Sequence, residues 1–193
     1  TNGSTGVTEA GSTDIFTVVL NAQPTTDVVV QFVSADTGEV TVTSLLTFTS
    51  ANWDTAQTVT VTGVDEDFVD QDQTTIITAS ILDGSSDDNF DAVADQTVSV
   101  TTTDDDVAGF TIAETEGSTG VDESGSTDIF TVVLTGRPIT DVAFSISSSD
   151  STETSVTSSL TFTSENWNTP QNVTVTGLDD DIIDGTQTST ITV

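Results

Sequence analysis

The sequence predicts an all-β protein built from tandem, immunoglobulin-like antiparallel β-sandwiches. Three observations indicate this fold class. The chain repeats itself at a fixed distance, each repeat divides into short runs of alternating apolar and polar residues, and no segment of useful length has helical periodicity. A series of about seven short strands in roughly a hundred residues is typical of such a sandwich.

Within one repeat, each predicted strand is rich in Val, Thr, Ile or Phe and is bounded by turn-forming Gly, Asn, Asp or Pro. In their order along the repeat the strands are A, residues 110–113; B, 13–20; C, 27–33; D, 42–49; E, 57–63; F, 73–82; and G, 96–103, with strand A taken from the second copy. The side chains expected to face the core are Phe16, Val18 and Leu20 of B, Val59 and Val61 of E, and Val98 and Val100 of G.

The repeat has a period of 114 residues. Residues 11–20 return as 125–134, residues 46–63 return as 160–177, and 48 of the 79 overlapping positions are identical. We therefore expect a first sandwich over residues 1–106, without its strand A, and a second over 107–193, without the end of strand F and strand G. Two explanations stay open: the chain continues, which we favour, or a neighbouring chain donates the missing strands.

Composition excludes several classes of function. Acidic residues number 32 against one basic residue, Arg137, and no histidine, so the net charge is −31. This charge excludes nucleic acid as a natural partner and argues against anionic membranes. The chain has no cysteine and so no thiol chemistry, and no histidine that could activate a hydroxyl. We expect no enzymatic activity.

Antiparallel connectivity gathers acidic residues at one end of each predicted sandwich. Connections AB, CD and EF and the exit from G all share that end, where Glu39 and Glu153 are also expected. In the first repeat the candidate metal ligands are Glu9, Asp36, Asp65, Glu66, Asp67, Asp70, Asp104, Asp105 and Asp106. In the second repeat they are Glu123, Asp150, Asp179, Asp180, Asp181 and Asp184.

The chemistry of these residues favours calcium. Neighbouring carboxylates repel by about 1 kcal/mol per pair even at the dielectric constant of water, and a hard divalent cation removes this cost. Ca²⁺ accepts about six to eight oxygen ligands in flexible geometry, whereas Mg²⁺ demands a tight octahedron. Asp104, Asp105 and Asp106 also lead into the next repeat without a linker, so a cation there would fix the angle between repeats. The alternative is a solvated acidic surface or an adaptation to high salt.

Three stretches resemble the Calx-β domain, the calcium-binding sandwich of sodium–calcium exchangers: VTEAGSTDIFTVVL at 7–20, VTVTGVDEDFVDQDQ at 59–73 and VSVTTTDDDVAGF at 98–110. Asp70 stands where that family usually has Glu, and SADTG is shorter than the family's CD loop. The phrase FTSxNWxTxQxVTVTG is similar to repeats of giant bacterial surface proteins and adhesins. Those repeats resemble cadherin repeats in their general arrangement. The resemblance implies that Ca²⁺ is bound by Glu9, Asp65, Glu66, Asp70, Asp104, Asp105 and Asp106, with Asp36 as a further candidate.

Together these features predict a structural segment of an extracellular tandem-repeat protein on a bacterial cell surface. Ca²⁺ bound at inter-domain junctions would rigidify a stalk, adhesin or filament, and the partners would be neighbouring repeats and identical chains in a fibre. One alternative is a carbohydrate- or surface-binding module that uses Trp53 and Trp167, although we favour packing at the end of the core for both. Another is a calcium-sensing domain. Arg137 is expected at the surface or near carboxylates of the preceding repeat.

Overall fold

A computed structural model describes residues 5–179, 181–183 and 185–193. These residues form two compact units: residues 5–66 with 70–105, and residues 67–69 with the described residues from 106 onward. The predicted all-β fold class is confirmed, because the described elements are strands apart from three single-turn 3-10 helices. No helix among the described residues has the length and apolar character needed to cross a bilayer.

The first unit is a sandwich of two sheets with strand orders β1-β8-β7-β3-β5 and β2-β6-β4. The described pairs are antiparallel, except that β1 runs parallel to β8. Two 3-10 helices, Asp83–Ser85 and Asp88–Phe90, lie between β7 and β8. The strands are β1 (Thr5–Thr8), β2 (Thr13–Val18), β3 (Val28–Ser34), β4 (Val40–Val42), β5 (Leu45–Phe48), β6 (Gln57–Gly63), β7 (Gln73–Ile81) and β8 (Gln96–Thr103).

Alternating apolar residues on the facing sides of these sheets form the core. Val59 and Val61 of β6 are fully buried, as the alternation predicts, and so is Val100 of β8. Phe16 of β2 packs edge-to-face on Phe32 of β3, with ring centroids 6.0 Å apart. Each such side chain contributes about 1.5–3 kcal/mol when fully buried. The core therefore fixes the ends of the strands from which the acidic loops leave.

Two features of the first unit differ from the prediction. The expected single strand D is divided between the sheets, because the chain crosses from one to the other at Thr43 and Ser44. The Thr43 N–H donates to the Thr60 carbonyl of one sheet, and the Ser44 carbonyl accepts from Phe32 of the other. The sequence analysis also missed β1, a short TGVT segment that covers the edge of β8 in register from Thr5↔Val100 to Thr8↔Thr103.

The second unit repeats much of this arrangement. Its sheets have the orders β13-β15-β10-β9, β11-β14 and β12-β16, and one 3-10 helix spans Thr115–Gly117. The positions that would correspond to β8 lie beyond residue 193. The strands are β9 (Phe110–Glu114), β10 (Thr127–Leu134), β11 (Val142–Ser145), β12 (Ser147–Ser148), β13 (Thr154–Val156), β14 (Ser159–Phe162), β15 (Gln171–Gly177) and β16 (Ile191–Thr192).

Arg137 is held by contacts within this second unit. Its backbone N–H donates to the Asp67 carbonyl at 2.8 Å and its carbonyl accepts from Val69 at 3.0 Å. The guanidinium lies 4.1 Å from the centroid of the Phe68 ring, and Nε donates to the Ser164 carbonyl at 2.9 Å. The chain's one basic side chain is therefore used in a cation–π contact.

Candidate metal centre

Four carboxylates of the first unit converge at one end of the sandwich. Glu9, Glu39, Glu66 and Asp70 each offer one oxygen, and these four atoms lie within 4.8 Å of one another. The residues come from the β1–β2, β3–β4 and β6–β7 connections. Antiparallel connectivity brings the β3–β4 and β6–β7 connections to this end, as predicted from the sequence, whereas the parallel pairing of β1 with β8 brings Glu9 there.

Backbone hydrogen bonds position Glu9 and Glu39. Glu9 follows β1 directly, and its N–H donates to the Thr103 carbonyl at the end of β8 at 3.2 Å. The carbonyl of Glu39 accepts from the N–H of Val64 at 2.9 Å, which ties the β3–β4 connection to the start of the β6–β7 connection. The sheet ladders therefore continue into the acidic end and hold these two side chains in place.

Half-buried and exposed acidic residues alternate along the β6–β7 connection. Glu66 and Asp70 are half-buried, whereas Asp65 and Asp67 are exposed. Successive residues of an extended segment point to opposite sides, so every second carboxylate can reach the centre. Gln71 then reverses the chain with a left-handed φ of 70° and donates its N–H to Asp104 Oδ2 at 2.8 Å.

The acidic run after β8 shows the same alternation. Asp104 is half-buried and brings a carboxylate oxygen within 4.8 Å of one from Glu9, while Asp105 is exposed. The Asp104 N–H donates to Asp72 Oδ1 at 3.2 Å, which anchors the run to the start of β7. Asp106, the last residue of this run, is half-buried and belongs to the second unit.

Glu9 is the most unusual of these residues, because its side chain is fully buried. Among the described residues, no donor makes a hydrogen bond of full geometry to either carboxylate oxygen. Burial raises the pKa of Glu9 to about 7, the Asp105 N–H offsets part of the rise, and the charges of Asp104, Glu66 and Glu39 add to it. A buried carboxylate without a hydrogen-bond partner is costly unless a cation or a proton neutralises it.

Glu39 and Asp70 reinforce this environment. Glu39 is 9% exposed, and within the described part of the chain its Oε2 has no hydrogen-bond partner; the same holds for the buried Oδ1 of Asp70. Burial raises the pKa of Glu39, and the negative charges of Asp70, Asp36, Glu66 and Asp104 raise it further. The chain's single basic side chain lies in the second unit, so no side chain of the first unit supplies a counter-charge. The donor set consists of oxygens alone and fits a hard cation.

The structure therefore brings together some of the predicted residues and adds one. Glu9, Glu66 and Asp70 approach one another, Asp104 approaches Glu9, and Glu39 joins the cluster although it was not among the candidate ligands. Asp36 instead accepts from the Gly38 N–H at 2.9 Å and closes its own turn. The sequence carried a signal for this difference, since Asp two residues before Gly is typical of such turns.

The predicted ligands of the second repeat do not form an equivalent cluster among the described residues. Glu123, Asp179 and Asp181 are exposed. Asp150 accepts from the N–H and hydroxyl of Thr152 at 3.0 and 2.6 Å, and these bonds lower its pKa. Asp180 and Asp184 lie outside the described residues. Metal binding by the predicted residues of either repeat remains a prediction.

Asp87 shows how the same residue type behaves when donors surround it. It lies in the acidic loop between β7 and β8 and is buried, at 3% exposed. Its oxygens accept from the N–H groups of Thr25, Thr26 and Asn89 at 2.6, 3.1 and 3.0 Å. These hydrogen bonds, with one from the Thr25 hydroxyl, hold the pKa of Asp87 well below its usual range. Asp87 is therefore an anchor for its loop, in contrast to Glu9.

Comparisons with known proteins give matches among solved structures. No model of a known protein family matches the sequence, and no curated protein matches it either. Among solved structures, the calcium binding domain CBD12 of CALX1.1 is similar, with a TM-score of 0.39 and 18% identity over 92% of this chain and 74% of that one. CBD12 from CALX1.2 has a TM-score of 0.40 and 18% identity over 89% of this chain and 71% of that one. The D0-D1 domain of intimin has a TM-score of 0.36 and 14% identity over 92% of this chain and 82% of that one.

Proposed function

We propose that the first unit binds Ca²⁺ through Glu9, Glu39, Glu66 and Asp70, with Asp104 beside them. The observation that carries this proposal is the fully buried Glu9 carboxylate, which faces other carboxylates and has no donor of full hydrogen-bond geometry among the described residues. Ca²⁺ supplies the positive charge that the first unit's own side chains do not.

Binding would couple the metal to the stability of the fold. The raised pKa of Glu9, about 7, means that this side chain is largely protonated below neutral pH when no cation is bound. A bound cation favours the ionised form and turns repulsion among the carboxylates into attraction. Because the ligands come from separate connections, the ion would tie these loops together and stabilise the folded state by mass action.

We further propose that the chain is a non-catalytic structural segment of an extracellular, bacterial tandem-repeat protein. The two copies are identical at 48 of 79 positions, and residues 104–109 alone separate β8 from β9. Calcium bound close to such a short connection would stiffen a stalk, adhesin or filament. The partners are neighbouring repeats of the same chain and, in a fibre, identical chains.

The two tryptophans give little support to a carbohydrate-binding module. Trp167 packs against the core of the second unit, and its counterpart Trp53 is half-buried. The carbonyls of both residues accept backbone hydrogen bonds at 3.1 Å, from Leu134 and Leu20 respectively. We therefore favour packing at the end of each sandwich over stacking on a sugar for both rings.

Calorimetric titration of Ca²⁺ into the chain tests the metal proposal. We expect the unaltered chain to bind Ca²⁺ with a measurable heat, either exothermic or linked to proton release. The Kd of Glu9→Gln for Ca²⁺ should be at least about tenfold larger, because this variant lacks one ligand charge of the centre. The matched control is Glu123→Gln, the same change at the equivalent exposed position of the second copy, which should leave this binding unchanged. Mg²⁺ should bind more weakly. No binding to the unaltered chain, or equal losses in both variants, contradicts the proposal.

Small-angle X-ray scattering tests the structural role separately. We expect the set of conformations that fits the scattering data to span a narrower range of maximum dimensions with saturating Ca²⁺ than with EDTA. Calcium binding without any change in this distribution would keep the metal site and remove the stiffening role.

A further inference from the structure

Thr102 of β8 is fully buried, yet its hydroxyl has no hydrogen-bond partner among the described residues. A buried hydroxyl without a partner destabilises a fold, because it has lost its hydrogen bonds to water. We propose that Thr102 is a positioning residue of the calcium centre, whose hydroxyl donates to the Glu9 carboxylate when that carboxylate holds the ion. This role rests on the proposed calcium binding and extends it to a residue that is not itself a ligand.

The shape of the core does not account for a threonine at this position. Burial alternates along β8, which places Val98, Val100 and Thr102 on the core side. Valine has the same branched shape as threonine but carries no group that needs a hydrogen-bond partner. A residue that only filled this space would therefore cost less as valine, and the hydroxyl itself is the feature to be explained.

Strand pairing places Thr102 next to Glu9 at the acidic end. In the parallel pair, Val7 of β1 lies opposite Thr102, and the ladder continues as the Glu9 N–H donates to the Thr103 carbonyl at 3.2 Å. Val7 and Glu9 are both buried, as expected for alternate residues on one face of a strand. Strands lie about 4.8 Å apart and alternate residues about 6.6 Å apart, so the diagonal from Thr102 to Glu9 is within reach of a glutamate side chain.

The side chains beside Thr102 leave the role of donor to its hydroxyl. Val7 is apolar, and Gln73 lies opposite Thr102 on β7. The Gln73 side-chain amide donates to the Asp70 carbonyl at 2.8 Å and is directed to the β6–β7 connection. Among the described residues, neither carboxylate oxygen of Glu9 has a donor of full hydrogen-bond geometry. A buried donor and a buried acceptor, each in need of a partner, thus occupy neighbouring positions.

Calcium binding would bring these two groups into a hydrogen bond. Without an ion, the Glu9 carboxylate is repelled by the other carboxylates of the centre. An ionised carboxylate has about four acceptor sites, and those that are not directed at an ion still need donors. The Thr102 hydroxyl can rotate to donate to such a site, and a hydrogen bond to an ionised acceptor is about twice as strong as a neutral one. Metal-binding carboxylates are commonly held in this way, and loss of the donor typically weakens metal binding by about 10- to 100-fold.

Calorimetric titration of Ca²⁺ into variants of the 193-residue chain tests this role. Thr102→Val keeps the shape and removes the hydroxyl, so its Kd for Ca²⁺ should be at least about tenfold larger than that of the unaltered chain. Thr102→Ser keeps the donor and should bind within about threefold of the unaltered chain. The matched control is Thr75→Val, the same change at a buried threonine of β7 that lies opposite Val100, deeper in the core. This control should leave the Kd unchanged.

Thermal unfolding in EDTA, followed by Trp53 in a Trp167→Phe background, separates this role from a purely structural one. Thr102→Val removes an unpaired hydroxyl, so its melting temperature should equal or exceed that of the unaltered chain. Thr102→Ser loses a buried methyl group, so its melting temperature should fall by about 5 °C. The variant that is more stable without metal should therefore be the one that binds calcium more weakly, which a loss of folding would not produce.

Nuclear magnetic resonance of the unaltered chain supplies a measurement that needs no substitution at Thr102. The resonance of the Thr102 hydroxyl proton should move downfield when Ca²⁺ is added, as expected for a new hydrogen bond to an ionised acceptor. An unchanged Kd in Thr102→Val, an equal increase in Thr75→Val or Thr102→Ser, or a hydroxyl proton that does not move overturns this role and leaves the calcium proposal standing. Failure of the unaltered chain to bind Ca²⁺ overturns both.

Discussion

Glu9 and Glu123 occupy the same position in two copies of one repeat, yet their environments differ completely. Glu9 is fully buried among other carboxylates, whereas Glu123 is exposed. The backbone N–H of Glu9 donates to the Thr103 carbonyl, whereas among the described residues no hydrogen bond reaches the N–H of Glu123. The comparison shows that residue type alone does not place a carboxylate in the centre, because the backbone contacts of the two residues differ.

The largest expected difference concerns the cores. Phe48 and Phe162 are equivalent and fully buried, and truncation of such a residue costs about 3–5 kcal/mol. We expect Phe162→Ala to unfold the second unit, whose described core has eight buried apolar residues against twelve in the first. Phe48→Ala should leave the first unit folded in Ca²⁺ but lower its melting temperature by more than about 10 °C.

Single-tryptophan backgrounds separate the two cores. Trp167→Phe leaves Trp53 to report on the first unit, and Trp53→Phe leaves Trp167 to report on the second. Equal destabilisation of the two units by the two alanine variants would break the comparison.

The pH dependence of the first unit should be smaller but specific. In EDTA the folded-state pKa of Glu9 is about 7, above its ordinary value of 4.5, so the folded state binds a proton more tightly than the unfolded state. The associated stability is fully present below pH 4.5 and is lost as the pH rises through 7. The loss is at most about 3.5 kcal/mol, at roughly 1.4 kcal/mol per pKa unit.

Urea unfolding at pH 5 and pH 8, followed by Trp53 fluorescence, measures this loss. Glu9→Gln should reduce this dependence and leave the part that the raised pKa of Glu39 contributes, whereas Glu123→Gln should not change it. A first unit that is more stable at pH 8 than at pH 5 in EDTA would contradict the environment described for Glu9.

Much of this comparison was accessible from the sequence, but its decisive parts were not. The alternation of Val and Thr gave the bounds of β6 and β8 correctly, because long period-two runs are strong signals. The approach of Glu66 and Asp70 to the acidic end followed from antiparallel connectivity, whereas Glu9 reaches it through the parallel pairing of β1 with β8. In contrast, β1 is only four residues long. It is held by hydrogen bonds to Asp14 and Ser12 and by pairing with β8, and no local sequence pattern reveals these contacts.

The choice between acidic neighbours was also outside the reach of residue type. Asp36 and Glu39 leave the same connection, and only the hydrogen bond from Gly38 shows that Asp36 closes its own turn. The β6–β7 connection and the run after β8 alternate in and out, but the phase of that alternation depends on the turn at Gln71 and on pairing at the end of β8.

The smallest expected effect distinguishes the two sides of one loop. Asp65 is exposed, so Asp65→Asn should change the calcium Kd by less than about threefold, through screened surface charge alone. Asp70→Asn removes one carboxylate charge from the centre and should raise the calcium Kd at least about tenfold. Similar losses in both variants would mean that calcium associates diffusely with the acidic surface.

The most direct test of the central claim is thermal unfolding of each unit with saturating Ca²⁺ and with EDTA, read by Trp53 or Trp167 alone. At about a thousand times the Kd, ligand linkage adds about 4 kcal/mol, so the Trp53 transition should rise by at least about 10 °C. The Trp167 transition should move by no more than about 2 °C on the same scale. A Trp53 transition that stays in place, or equal shifts in both units, would contradict a calcium centre built around Glu9.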